Sequence, residues 1–347
     1  YQTLVMEFTL PLALYRDYLQ QPCDAANACA ALQQLRQQMR FFSSDNSNPE
    51  PIQWEIAQQQ PLRFAPEVVF SLGSYYFVGT EVGEADYSLS LLTAISQTLW
   101  QGGVLRAEWE TPFTHTDDFE DGRWYTPYRR RSGWSEAMLH QTFRPLANLY
   151  NMTSIGHYAH SYNALFNTTR WTNADGKHRL RARFGSLKHQ GEGNDVNTWD
   201  YSYRYYLEPL NVALGAAYSK HILEDEGPTF SLVRSFGDSS IILFYKKTVE
   251  KLGGIAIQIP FATRRSMTPR PYQFRTQERW MAGLQTTMDT ESGMNILLPD
   301  HGIVPLTGHR LERQYFNSDE MSPAHLLHNL PRLREAASLI VDSQAVK

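Results

Sequence analysis

EADYSLSLLTAISQTLW, residues 84–100, changes chemical character at almost every step. In an extended chain Tyr87, Leu89, Leu91, Ile95 and Leu99 share one face. Asp86, Ser88, Ser90, Ser96 and Thr98 share the other, together with Leu92. A period of two over this length reads as a strand with one apolar and one hydroxyl-rich face.

The pattern recurs. In GVLRAEWET (103–111) Leu105, Ala107 and Trp109 oppose Arg106, Glu108 and Glu110. In HRLRARF (178–184) Leu180, Ala182 and Phe184 oppose Arg179, Arg181 and Arg183. In DYSYRYYLEP (200–209) Tyr201, Tyr203, Tyr205 and Leu207 oppose Asp200, Arg204 and Glu208. A surface that is apolar on one side and cationic on the other fits three settings: a nucleic-acid groove, a soluble carbohydrate-binding β-sandwich, or the wall of a membrane barrel. The net charge of −4 argues against a nucleic-acid binder. With 19 Tyr, 17 Phe and 8 Trp the composition favours strands. Mean hydropathy is −0.45, and no apolar run approaches the ~20 residues of a transmembrane helix. Neither observation excludes transmembrane strands, whose apolar residues are spread over alternate positions.

Twelve strand-like segments precede residue 262: 66–79, 84–99, 102–112, 134–145, 148–160, 163–173, 177–188, 198–208, 211–223, 226–236, 239–248 and 252–261. Most reach the ~9–11 residues that a tilted strand needs to cross a bilayer. Segments 134–145 and 239–248 alternate poorly. Joins after even segments are short (WQGG, RPLAN, NADG, LEPLN, FGDS), whereas TPFTHTDDFEDGRWYTPYRRRSG, GSLKHQGEGNDVN and HILEDEGP follow odd ones. Long loops at one rim and short turns at the other are the organisation of outer-membrane barrels, and a sandwich has no reason for it.

The expected fold is therefore all-β: an antiparallel transmembrane outer-membrane β-barrel of about 12 strands over 66–290. A small periplasmic helical and loop linker (11–65) precedes it, and a periplasmic C-terminal tail with a short helix (291–347) follows. The run RWMAGLQTTM after residue 278 has an open assignment. LVMEFTLPLA near the start resembles GIAIQIPFA at 254–262, both alternating segments that end at proline. If both close barrels, residues 1–10 are the last strand of a preceding barrel and the chain is part of something longer. Cys23 and Cys29 are the only cysteines. Their closeness suits a small disulfide in an oxidising compartment, with two free thiols as the alternative.

The inward charged set expected of such a barrel is Arg106, Glu108, Glu110, Arg179, Arg181, Arg183, Asp200, Arg204 and Glu208. It reads either as an ion-pair network that fills the lumen or as a surface that touches a hydrated polysaccharide. Glu108, Glu110 and Asp200 are expected to neutralise Arg179, Arg181, Arg183 and Arg204 in part. The acidic and basic loop 114–133 lacks EF-hand spacing. No histidine has metal-ligand neighbours at persuasive spacing, and no GxSxG elbow is present. The reading is of a non-enzyme without cofactor or metal, an outer-membrane hydrolase being the rival.

Three stretches carry a resemblance: DYSLSLLTAISQTLWQGGVLRAEWETPF (86–113), SLVRSFGDSSIILFYKKTVEKLGGIAIQIPFATRRSMTP (231–269) and LERQYFNSDEMSPAHLLHNLPRLREA (311–336). They resemble the C-terminal half of the YjbH/GfcD family, outer-membrane proteins associated with exopolysaccharide and group 4 capsule biosynthesis. The resemblance implies a two-barrel parent chain in the outer membrane of a Gram-negative bacterium. It also implies a role in polysaccharide export or surface assembly. The partners it implies are outer-membrane lipid and lipopolysaccharide, polysaccharide and other secretion proteins, with no nucleic acid. It supplies no catalytic residues.

Overall fold

The computed structural model describes residues 7–9, 15, 30–42, 66–80, 83–146, 148–249, 251–261, 272–289, 302–320 and 322–330. Cys23 and Cys29, and with them the disulfide, lie outside the described residues. Near the start, β1 (Glu7–Thr9) pairs antiparallel with β2 (Arg40–Phe42), and α1 (Ala30–Gln38) precedes β2.

The rest is a β-barrel. Twelve strands form an unbroken antiparallel meander: β3 (Glu67–Val78), β4 (Ala85–Trp100), β5 (Gly103–His115), β6 (Gly133–Leu146), β7 (Leu149–Tyr158), β8 (Tyr162–Thr172), β9 (His178–His189), β10 (Val196–Leu207), β11 (Val212–Lys220), β12 (Glu226–Phe236), β13 (Ser239–Lys247) and β14 (Lys251–Pro260). They match the twelve segments read from alternation to within three residues at each end. Side-chain direction follows the same alternation: Leu180 and Phe184 are exposed, and Arg179, Arg181 and Arg183 point inward. The poorly alternating β6 turns Glu136, Met138 and His140 into the interior, where all three are buried. Its reading was blurred because both of its faces mix polar and apolar residues.

Two further strands raise the sheet to fourteen. β15 (Gln273–Thr276) pairs parallel with β3, and β16 (Arg279–Asp289) pairs antiparallel with β14. They are halves of one run that switches neighbours at a kink. Gln277 N donates to Phe70 O on β3 (2.9 Å), and Phe261 N donates to Glu278 O from the opposite side (2.9 Å). The run 278–289 thus belongs to the wall, and segment 254–262 is not the final strand, because β16 covers its free edge. Twelve meander strands plus this one run make an odd number around the ring, so one neighbouring pair has to be parallel. Tyr76 fastens the upper seam by donating its hydroxyl to Gly283 O (2.8 Å) and accepting from Gly283 N (2.6 Å).

Odd parity also decides where the chain goes next. β3 starts at the rim of short turns, so β16 ends at the opposite rim, which carries the 116–132 loop. Residues 302–320 and 322–330 then run back through the interior. Ile222 N donates to Ile303 O (3.1 Å) at the long-loop rim, and Ala324 N donates to Asp175 O (3.0 Å) at the short-turn rim. The expected periplasmic tail is corrected here: this part of 291–347 threads the barrel. It contains α2 (Leu311–Phe316) and α3 (Pro323–His328), the latter capped by Ser322, whose hydroxyl accepts from His325 N. Small apolar clusters seat it: Leu311 against Tyr150 and Met152, and Ala324 against Tyr206 and Ala213. Arg36 of α1 donates to Leu327 O (3.2 Å), which ties the N-terminal segment to the thread's end.

Candidate functional site: an arginine-lined lumen and the thread inside it

The barrel is inverted in polarity relative to a soluble protein. Its outer surface shows Leu91, Ile95, Leu105, Leu165, Leu214, Phe230, Leu243, Ile257 and Met281, all more than a third exposed. Its interior buries Ser88, Ser90, Glu110, Glu136, His140, Arg170, Asp200 and Ser219. Exposed aromatics sit toward both ends: Trp100, Phe143, Trp171 and Phe236 on the short-turn side, Phe113, Trp134 and Tyr218 on the other.

On the wall formed by β8, β9 and β10, five arginines project inward. Strand alternation places Arg179, Arg181 and Arg183 in one row, flanked by Arg170 and Arg204 on the neighbouring strands. Their acids come mostly from the thread. Asp319 Oδ1 accepts from Arg170 Nη2 (2.5 Å), and Oδ2 accepts from Arg179 and lies 2.9 Å from Arg204 Nη1. Ser318 and Asp319 both adopt left-handed backbone (φ 56 and 77), a conformation that Asp tolerates better than most residues. Glu312 accepts from Arg181 Nη1 (2.9 Å). Asp200 on the wall accepts from both Arg181 (3.0 Å) and Arg183 (2.9 Å), and Ser219 donates to its other oxygen (2.8 Å). Arg170, only 2% exposed, also stacks its guanidinium 3.5 Å above the Phe316 ring. Packing here is close, with a residual cavity of about 30 Å³ between thread and wall.

The expected pairing is corrected in one respect. Glu108 and Glu110 do not meet these arginines, because β5 lies on a different part of the ring. Glu108 pairs with Arg106, and Glu136 lies 3.4 Å from the same arginine. Glu110 accepts from Ser90 (2.5 Å), and its other oxygen lies 2.8 Å from His160 Nε2, with Arg130 at 3.3 Å. His160 reaches Glu110 from a tight turn in which Ala159 and His160 both have positive φ (49 and 63). Glu208 falls outside the network. It sits in the turn after β10 and pairs with Lys177 (3.1 Å), and this hydrogen bond holds the Lys177 ammonium above its usual range.

On the β3–β7 side the thread leaves an open chamber of about 570 Å³. Loop residues Pro127–Arg131 and Ala159–Ser161 line its upper part, Leu306–Gly308, Arg310 and Arg313 one side, and Gln277 and Arg279 its seam edge. Gly308 N donates to Glu136 (2.6 Å), and a Cβ on Gly308 would fall 2.2 Å from the Arg106 guanidinium, so the thread passes the wall here at backbone distance.

Sequence reading missed Arg170, Glu136, His140, Arg310, Glu312 and Asp319. The first three sit on strands whose polar faces are mixed, and the rest lie in the segment expected to be a periplasmic tail. A Ser–His–carboxylate grouping also emerges: Ser154 Oγ is 2.7 Å from His140 Nδ1, and Glu136 is 3.6 Å from His140 Nε2. All three are at most 4% exposed, and the His309 ring lies 4.9 Å from that of His140. A nucleophile so buried does not offer an acyl substrate a surface. Among the described residues no group of three or more His, Cys, Asp or Glu is placed to hold a metal ion.

Neither a protein-family model nor a curated protein sequence matches the chain. Among solved structures it is similar to a triple mutant of the porin of Rhodopseudomonas blastica, at 11% identity and a TM-score of 0.35, over 58% of this chain and 90% of that one. So loose a likeness carries no weight for fold or function, which rest on the strand ladders and the side chains described above.

Proposed function

We propose that the chain is an outer-membrane β-barrel that assists export or surface assembly of an exopolysaccharide, in the manner of the YjbH/GfcD family that segments 86–113, 231–269 and 311–336 resemble. The inverted polarity supports the membrane part. An apolar belt of exposed Leu, Ile and Phe between two aromatic ends suits lipid and would be costly in water. The short-turn rim, where the N-terminal segment and the end of the thread both lie, is then periplasmic, and the 116–132 loop faces outward.

The observation that carries the export reading is the lumen itself. It carries many charged and hydroxyl side chains beside an apolar cluster of Met138, Phe166 and Leu187, and its β3–β7 side holds a polar chamber that reaches the outer loops. A hydrated, anionic polymer suits such a surface; a lipid or apolar substrate does not. The described thread packs against the β7, β10 and β11 walls and leaves the chamber on the β3–β7 side, so it sets how much of the lumen a polymer would meet.

Two experiments test the reading. The purified chain should need detergent and should migrate faster on gels before boiling than after. A soluble, heat-insensitive protein would end the membrane reading. Deleting the protein in its native host should lower surface polysaccharide without lowering its intracellular precursor pool. Unchanged surface polysaccharide would end the export reading and leave the barrel standing.

A further inference from the structure

The chamber beside the thread has a feature that the export reading does not need. Seven arginines line it against three glutamates. Five of the seven are answered by a carboxylate: Arg106 by Glu108 and Glu136, Arg130 by Glu110, Arg129 by Asp121, Arg279 by Glu320, and Arg313 by Glu278. Arg131 and Arg310 have no acidic partner among the described residues. Among the described residues the Arg310 side chain makes one hydrogen bond, from Nε to Thr307 O (3.2 Å), and the residue borders both this chamber and the small cavity beside the arginine wall. Arg131 stands at the outer loop edge of the same space.

An arginine on a chamber wall with no carboxylate within ion-pair distance is an attractor for an oxyanion, because its planar fork matches carboxylate and phosphate geometry. The space, about 570 Å³, lies within the ~300–1,000 Å³ of ordinary ligand sites. Tyr75, Tyr128 and Tyr158 on its walls supply ring surface suited to a sugar. Arg130 already lies 4.4 Å over the Tyr75 ring, so cation and aromatic groups form one continuous lining.

We propose that this chamber is a binding site for a carboxylate-bearing saccharide segment entering from the long-loop rim, with Arg310 and Arg131 as the partners of its acid groups. The choice of a glycan rests on the export reading; the anion preference rests on the two arginines. Neutral saccharides lack the group that those arginines require.

The test uses the full chain in detergent, titrated by calorimetry with trigalacturonate, maltotriose and inorganic phosphate in separate arms. Trigalacturonate should bind at least tenfold more tightly than either of the others. The R131Q/R310Q double variant should weaken it by tenfold or more, about 1.4 kcal/mol or above, since it removes both charged donors. Heat-modifiable gel mobility checks that the variant is folded. If the double variant fails that check, R131Q alone, at the loop edge, should still weaken binding measurably. Equal binding of maltotriose overturns the anion site, and phosphate binding as tight as trigalacturonate overturns the saccharide. No binding by the native chain, or unchanged affinity in a folded variant, overturns the proposal outright. Any of these leaves the export reading to the surface-polysaccharide measurement, which does not depend on this chamber.

Discussion

Replacing Asp319 with Asn should release the thread without opening the barrel wall. The carboxylate of Asp319 is 8% exposed and holds Arg170, Arg179 and Arg204, themselves at most 18% exposed. Asn preserves the shape but removes the charge, and its amide group brings donors toward guanidinium donors. Removing one partner of a buried ion pair costs about 3–5 kcal/mol, because the remaining charges stay desolvated without compensation. The barrel's ladders do not pass through Asp319, so the cost falls on docking of the thread. At 1.4 kcal/mol per tenfold, its opening equilibrium should rise by roughly a hundredfold to a few thousandfold. Hydrogen exchange of the full chain in detergent reads this directly. Amides of α2 and α3 should lose protection in D319N, while β8–β10 amides keep theirs. As a control, E224Q should change nothing in the thread, since Glu224 is 65% exposed and its pair with Lys220 lies at the surface. Equal protection of 311–328 in D319N and the native chain would refute the claim that this carboxylate anchors the thread. Parallel loss across β8–β10 would refute the separation of thread from wall.

Y76F should weaken the parallel seam. It removes both hydrogen bonds to Gly283, at about 1 kcal/mol net for each, and lowers the temperature at which the fast-migrating gel band disappears; an unchanged temperature counts against a seam held by this side chain. Leu180→Arg, on the outward face, should reduce membrane insertion by about 2–4 kcal/mol if its level is near the bilayer midplane, whereas Ala182→Ser on the same face should be tolerated; normal assembly of L180R would contradict the lipid-facing assignment. The thread's entry should loosen in acid. His221 donates from Nδ1 to Asp225 (3.1 Å to the carbonyl, 3.0 Å to the carboxylate), and burial pushes its imidazole below the usual 6.5. A depressed pKa means that the folded loop favours neutral His221. That stabilisation is complete above 6.5 and is lost as pH falls below it. Asp225 also accepts from Gly302 N (3.1 Å), so exchange at Gly302 and Ile222, corrected for intrinsic rates, should accelerate between pH 7.5 and 5. H221N should abolish that pH dependence, and a native chain indifferent to pH would remove His221 from the anchor.

The wall of this barrel was legible because its information is local. Each strand states its own two faces, as Leu180 and Arg181 do side by side, and the short turns punctuate the series. β15 and β16 were harder because what defines them is a partner, not a pattern. The change of neighbour at Gln277 and Glu278 depends on Phe70 and Phe261, some two hundred residues and seventeen residues away along the chain, and alternation carries no record of either. The charged site was half legible for the same reason. The inward direction of Arg179, Arg181 and Arg183 follows from the pleat. The identity of their partners does not, because Asp319 and Glu312 sit on short helical turns whose own sequence looks like any polar tail. A five-arginine wall with one acid of its own was the available signal: buried charges have to be answered, and Asp200 alone could not answer them.

The missing acids and the parallel seam are two consequences of one fact, the parity of the ring. With an even number of strands the chain would finish at the rim where it began, and its C-terminal segment would have no reason to enter the lumen. With twelve meander strands and one bridging run it finishes at the far rim, and the described thread returns through the interior to Leu327 beside Arg36 of α1. A wall carrying Arg170, Arg179, Arg181, Arg183 and Arg204 is stable inside such a ring only if a counter-charge is delivered to it. The returning thread delivers Glu312 and Asp319 at those heights. Seam, thread and arginine wall therefore form one coupled arrangement, and a change that restored even parity, such as deleting Gln273–Asp289, should strand the wall's positive charge as well as open the seam.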